Sequence, residues 1–312
     1  MYFPYLRGRQ FELIALRELV EKSLISEKII PIIEPVKLSS TLIKTIEIFN
    51  EKNRKIALIM NPQIGSLKVD LNEEKKESLK EKLKTIIQLP VLIKTHILNK
   101  NSKQQLIRLF NNGTKPEDLI TICQNKDFIS IYEEIFKNNK PQYNLILDES
   151  VYRRKIKDNR ILLDDKFNKL TRNTDYADSV DEPFSDDHIY FQQDGYKGFA
   201  DYTVIGNEFA ESGFAPYAVA IHIVYFDKEK SLRIRHFVSD SNDDIRDPAN
   251  KFSEAVRKLF EWNESAKLDT VGIKTFIDLY KNELYPGLGT VKKLSIMHHI
   301  EIVGKYLDAE PI

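Results

Sequence analysis

The sequence predicts an α/β protein of the (β/α)8 barrel type, and three observations carry that reading. Short apolar runs recur through the first two-thirds of the chain, as in Ile29-Ile-Pro-Ile-Ile33 and Ile56-Ala-Leu-Ile-Met60. Stretches of helical length with one apolar face separate most of them. Most runs also end in a polar or charged residue: Glu34, Asn61, Lys94 with His96, and Asp148. Strands that are apolar on both faces and alternate with helices belong to parallel sheets covered on both sides. Such folds place their chemistry where the strands end.

The elements follow in order. Tyr2–Leu6 reads as a first strand and Phe11–Glu21 as a helix, with Phe11, Ile14, Ala15 and Leu19 on one face. Ile29–Ile33 is strand two, and Ser39-Ser40 supplies N-cap residues for a helix carrying Leu42, Ile46 and Phe49. Ile56–Met60 is strand three, with Asn61-Pro-Gln-Ile-Gly65 as its loop. The Lys/Glu-rich Glu73–Lys84 reads as a solvated helix. Val91–Lys94, Leu119–Cys123, Asn144–Leu147 and Ile161–Leu163 continue the strands, with helices over Lys103–Phe110, Phe128–Phe136 and Val151–Lys157. Strand eight is Gly198–Gly206 or, alternatively, residues 217–226.

Regularity breaks at residues 175–194, which hold seven acidic side chains and no Lys or Arg. With few aliphatics to bury, this stretch is expected to be a long loop or lid. Pro216–Asp227 and Leu232–Ser239 read as a β-hairpin. Asp247-Pro248 opens a helix through Trp262, and helices over Val271–Tyr280 and Val291–Leu307 complete the chain. Residues 1–240 thus form a barrel-like unit, and residues 241–312 form helices packed on it. An open doubly wound sheet is the other candidate, but no strand is followed by Gly-x-Gly-x-x-Gly, which argues against a dinucleotide site.

Composition narrows the function. The 312 residues carry 47 Lys+Arg and 47 Asp+Glu, so a wholesale polyanion binder is not expected and there is no strong nucleic-acid signal. Residues 1–160 hold 29 basic against 20 acidic side chains, a net +9, which leaves −9 on the remainder. No apolar run approaches the roughly 18 residues of a membrane span, and the N-terminus lacks a signal-peptide pattern. A cytoplasmic protein is expected. Cys123 is the only cysteine and lies in an apolar run, so it reads as a buried, inert thiol.

In a barrel, side chains at the ends of different strands converge on one mouth. That mouth is expected to receive Arg7 or Arg9, Glu34, Asn61, Lys94 or His96, Asp148, Asp164 and Asp201. Glu34, Lys94, Asp148 and Asp201 are the candidate catalytic residues. Arg7, Arg9, Asn61, His96, Asp164 and His222 are candidate ligand contacts. Carboxylates beside a lysine, an asparagine and a histidine suit a divalent ion such as Mg or Mn, and a cation beside them suits a phosphoryl group. A metal-dependent phosphoester hydrolase is one expectation, although no specific metal spacing is present. The other is a non-catalytic protein whose acidic stretch docks an effector protein. His298 and His299 read as packing residues. His222 and His236 fall on opposite hairpin strands, and Arg233 and Arg235 share a face suited to an anion.

The segment Tyr2-Phe-Pro-Tyr-Leu-Arg-Gly-Arg-Gln-Phe-Glu12, followed by Ile29-Ile-Pro-Ile-Ile-Glu-Pro35, resembles the Beta-protein family of phages and bacteria. Gly198-Phe-Ala-Asp-Tyr202 looks like that family's downstream Asp-Tyr strand. The segments 215–222, 236–242 and 292–299 look like a bacterial subgroup of it. The resemblance implies a barrel-like fold and a setting in phage–host conflict, such as antiviral defence. It transfers no catalytic residue.

Overall fold

The computed structural model describes residues 1–210 and 216–310. Eight parallel strands form a barrel-shaped sheet: β1 (Tyr5–Leu6), β2 (Ile32–Ile33), β3 (Ile56–Ile59), β4 (Leu92–Ile97), β5 (Leu119–Cys123), β6 (Tyr143–Ile146), β7 (Arg160–Leu163) and β9 (Gly198–Ala200). The first and last strands meet where Tyr2 bridges Phe199, supported by Phe3 N–H donating to the Phe199 carbonyl and Tyr5 N–H to that of Asp201. Strand eight is therefore the 198–206 candidate. The 217–226 candidate belongs to a separate sheet.

Side chains alternate about the barrel wall because successive Cβ atoms in a strand point to opposite faces. Tyr5, Ile32, Ala57, Ile59, Ile93, Ile97, Ile120, Ile122, Leu145, Ile161, Leu163, Ala200 and Tyr202 pack together inside the barrel. The outward set joins the larger core beneath the helices. Helices α1 (Gln10–Glu21), α2 (Ser40–Glu51), α3 (Leu67–Asp70), α4 (Glu77–Ile86), α5 (Ser102–Asn111), α6 (Ile129–Ile135) and α7 (Ser150–Lys155) fill the crossovers. The Ser39 hydroxyl accepts from Leu42 N–H at 3.2 Å, so the sequence-predicted cap of α2 is present.

The crossover from β7 to β9 departs from the repeat and corrects the expected acidic lid. Residues Asp181–Ser185 form β8, which pairs antiparallel with β11 (Leu232–Val238). That strand in turn pairs with β10 (Ala220–Phe226). A short helix α8 (Asp187–Tyr190) follows β8. The stretch has few aliphatics, but its aromatics, expected to serve docking, turn into the core instead: Tyr176, Phe184 and Phe191 are buried, as is His188. Four of its acidic side chains, Asp175, Asp181, Glu182 and Asp187, meet partners within the chain. Asp181 accepts from Arg233 Nε at 2.8 Å and from Arg235 at 3.3 Å, so the anion that the arginine face holds is the chain's own.

Helices α9 (Pro248–Ala266), α10 (Val271–Lys281) and α11 (Leu288–Ala309) complete the fold. Asp247 caps α9 by accepting from Asn250 N–H, with Pro248 at the first helical position. Trp262 of α9 packs on Tyr225 and Phe237, which lie on one face of the three-stranded sheet. On the opposite face, His298 of α11 hydrogen-bonds the Val224 carbonyl at 2.6 Å. α11 also packs along α1, which places it beside the closing strands of the barrel. No helix among the described residues is long and apolar enough to cross a membrane.

Candidate functional site

Strand parity sorts the expected mouth residues. Tyr5, Ile32 and Ile59 face inward, so Arg7, Glu34 and Asn61 continue that face at the C-terminal rim. Lys94, His96, Asp148, Asp164 and Asp201 have the other parity. The single shared site expected for Glu34, Lys94, Asp148 and Asp201 does not form.

Lys94 reaches Thr114 at 3.1 Å, in a surface groove with Lys55, Pro90 and Gln142, residues that precede β3, β4 and β6. It therefore serves the N-terminal end of the sheet. His96 is fully buried outside the barrel, with Nε2 2.8 Å from the Ser102 hydroxyl, and burial pushes it down to about 4. Asp148 has 58% of its side chain exposed and pairs with Arg153, while Tyr196 donates to it at 2.8 Å. Asp164 pairs with Lys166 at 2.8 Å, and Lys166 also holds Asp187 of α8 at 3.0 Å. At this strand end the inward carboxylate is Asp165, which accepts from Asn207 N–H at 2.9 Å. The expectation of Asp164 at the mouth is corrected to Asp165, the member of the pair that alternation from Ile161 and Leu163 turns inward.

The inward residues are sealed among themselves. Glu34 is only 1% exposed, and its carboxylate accepts from the Tyr5 hydroxyl at 2.7 Å, from Gln63 N–H at 2.7 Å and from Arg7. The Arg7 guanidinium lies 5.1 Å and 5.2 Å from the ring centroids of Tyr5 and Tyr202 and donates to the Asn207 carbonyl. Gln124 donates to the Tyr202 hydroxyl at 2.7 Å. Gly8 makes this possible: it sits at φ +62° with Ile33 and the Glu34 carbonyl 3.0–3.1 Å from where a Cβ would be. Asn61 ties β3 to β4, donating to the Ile97 carbonyl at 2.7 Å and accepting from Ile97 N–H at 2.9 Å. These contacts occupy most of the polar groups expected to bind a ligand, with Arg7 Nε left buried and without a partner among the described residues. Among the described residues, no group of three or more His, Cys, Asp or Glu side chains is placed to hold a metal ion.

Asp201 is buried outside the barrel beneath α11. It accepts from the Tyr2 hydroxyl at 2.8 Å and from Thr203 N–H at 2.7 Å, and His299 Nε2 lies 3.8 Å away. Burial raises its carboxyl to about 6. Because that value lies above the ordinary one, protonation favours folding; the contribution is present at low pH and lost as pH rises through about 6. Asp201→Asn keeps an oxygen for both accepted bonds and removes the buried charge. Urea unfolding at pH 8 is expected to show it more stable than the parent by roughly 1–3 kcal/mol. A less stable variant at that pH would show that the charge itself is needed.

The open site lies beside the rim, where the last barrel loops meet β10 and α11. A cavity of about 130 Å³ is lined by Phe167, Lys169, Asn173, Tyr176, His222, Lys292 and their neighbours. A second cavity of about 270 Å³, lined by Arg9, Phe11, Glu12 and Gly289, shares Ile205 and Lys292 with it. Of the expected ligand contacts, His222 lines the first and Arg9 the second. Lys292 lies between the two, and desolvation together with Arg9 and Lys169 nearby holds its amine below the ordinary lysine range against an upward pull from Glu12. Lys169 pairs with Glu208 at 2.9 Å. Lys169, Asn173, Tyr176 and Lys292 were missed by sequence reasoning, because they come from a loop and a helix far apart in the chain. The only hint was the pairing of His222 with His236.

No family model, curated protein or solved structure matches the chain.

Proposed function

We propose that the protein binds a small phosphorylated molecule in the paired cavities at the barrel rim. The observation that carries this reading is the convergence of Lys169, Lys292 and Arg9 on two adjoining cavities, where the one carboxyl in the wall, Glu12, is pushed up by burial towards its neutral form. Cationic groups in a partly desolvated wall attract an anion more strongly than the same groups in water. At about 130 Å³, the first cavity has room for a phosphoryl group with bound water, since a single water needs only about 10–15 Å³ of such space. The second, bordered by Phe11 and Ile205, accepts a less polar remainder. The phase of activity expected from the Beta-protein-like motifs, phage–host conflict, rests on those N-terminal residues and is a setting for the ligand, not evidence for it.

The test is titration with inorganic phosphate and pyrophosphate. Calorimetry is expected to show binding to the parent and its loss in Lys292→Glu. Phosphate should raise the parent's thermal midpoint by mass action, RT ln(1 + [L]/Kd), and leave the variant's unchanged. Equal responses from the two proteins would remove this cavity as the site.

A further inference from the structure

A hydrogen-bonded chain that ends at His222 on the wall of the first cavity fixes two histidine tautomers. Glu182 of β8 lies 3.3 Å from Nε2 of His236 on β11. A carboxylate only accepts, so that nitrogen carries the proton and Nδ1 of the neutral ring is left as an acceptor. Nδ1 of His222 on β10 lies 2.7 Å from Nδ1 of His236, so His222 is the donor there. Its remaining nitrogen, Nε2, therefore carries a lone pair on a ring that lines the cavity. Among the described residues, no group hydrogen-bonds to it.

The chain is held in a packed framework. His222 and His236 stand directly opposite each other in the antiparallel register. Tyr176 packs against both rings, at 4.6 Å and 4.7 Å between centroids, and Phe167 meets His222 edge-on at 5.1 Å. A carboxylate that orients one imidazole, which then orients a second, is the arrangement by which a base is held in one tautomer.

We propose that His222 is a base that accepts a proton at Nε2 from a hydroxyl group of the cavity's phosphorylated ligand, or from a water beside it, and that His236 and Glu182 are its positioning residues. The location of the ligand rests on the reading given above; the base itself does not. When the proton arrives at Nε2, His222 becomes an imidazolium that still donates from Nδ1 to His236. The Glu182 carboxylate balances the new charge across the His236 ring.

Burial, His236 and Lys292 together hold His222 well below the usual histidine value, so it is a neutral acceptor at pH 7. The titratable groups around this chain are Glu182 and Asp181 of β8, His236 of β11, Lys292 of α11, and Lys169 and Tyr176 of the segment between β7 and β8.

Two measurements test the proposal. Diethyl pyrocarbonate acylates unprotonated imidazole nitrogens, and peptide mass mapping reads each site. His222 is expected to react faster than the buried His96, His298 and His299, and to keep reacting below the pH at which free histidine becomes protonated. Long-range proton–nitrogen spectra should show the proton of His222 on Nδ1 in the parent and on Nε2 in His236→Phe. A proton on Nε2 in the parent, or a His222 that resists acylation, overturns the proposal whether or not the variant folds. Inorganic phosphate should slow acylation of His222. If the tautomer and reactivity are as expected but phosphate neither binds nor slows the reaction, the base stands and the phosphorylated-ligand reading falls.

Discussion

Between pH 7 and pH 5 the protein is expected to lose about 5 kcal/mol of folding stability, a large part of the 5–15 kcal/mol that such domains possess. All six histidines are held below their ordinary value, each with burial as the largest cause. For His96 and His298 the value falls to about 4, and for His299 to about 3. A histidine whose folded pKa is depressed supports folding fully above its unfolded pKa and loses that support as pH falls. Taking an unfolded value near 6.5, each of these three costs about 2 kcal/mol at pH 5, or about 6 kcal/mol together. Asp201 works in the opposite direction, because its raised carboxyl gains about 1.3 kcal/mol over the same interval. The histidines win. Urea unfolding at the two pH values measures the difference. His96→Gln, which keeps a nitrogen to meet Ser102, should reduce it by about 2 kcal/mol. A stability that stays flat down to pH 5 would mean that these rings open to water without unfolding.

How much of this was legible in the sequence differs between fold and site. The barrel was legible because β3, β5 and β7 are apolar on both faces and bounded by helices of clear amphipathic period. Cys123 was legible for the same reason: it is buried, and burial raises its thiol to about 12. The strand-end positions were legible too, but the direction of their side chains was lost where two polar residues stand together. Lys94-Thr-His96 and Asp164-Asp165 each present a choice that only the alternation of their own strand resolves. β8 escaped because its burial comes from Phe184 within an acidic run and from pairing with a strand some 50 residues later, information that no local pattern contains. Deleting residues 175–194 would therefore remove a strand and part of the core, so it does not isolate a docking segment.

Glu34 is where a structural role and a catalytic one predict opposite results. Its carboxylate is buried and paired with Arg7, which is itself largely buried. Glu34→Gln keeps the shape and removes the charge, leaving the guanidinium with a neutral partner in the barrel mouth. Breaking one side of a buried pair costs about 3–5 kcal/mol, because the remaining charge is uncompensated. Arg7→Met should cost a comparable amount, and the double variant should cost less than the sum of the two, since neither charge is then stranded. A catalytic carboxylate held under electrostatic strain would behave otherwise, its neutral replacement being as stable as the parent or more so. Chemical denaturation of the four proteins in this cycle decides the matter. Phosphate titration of the folded variants should give the parent's affinity, because none of Glu34's partners lines the cavity that contains Lys292 and His222. If Glu34→Gln is fully stable and loses phosphate binding, the sealed mouth is the functional site and the rim cavity is not.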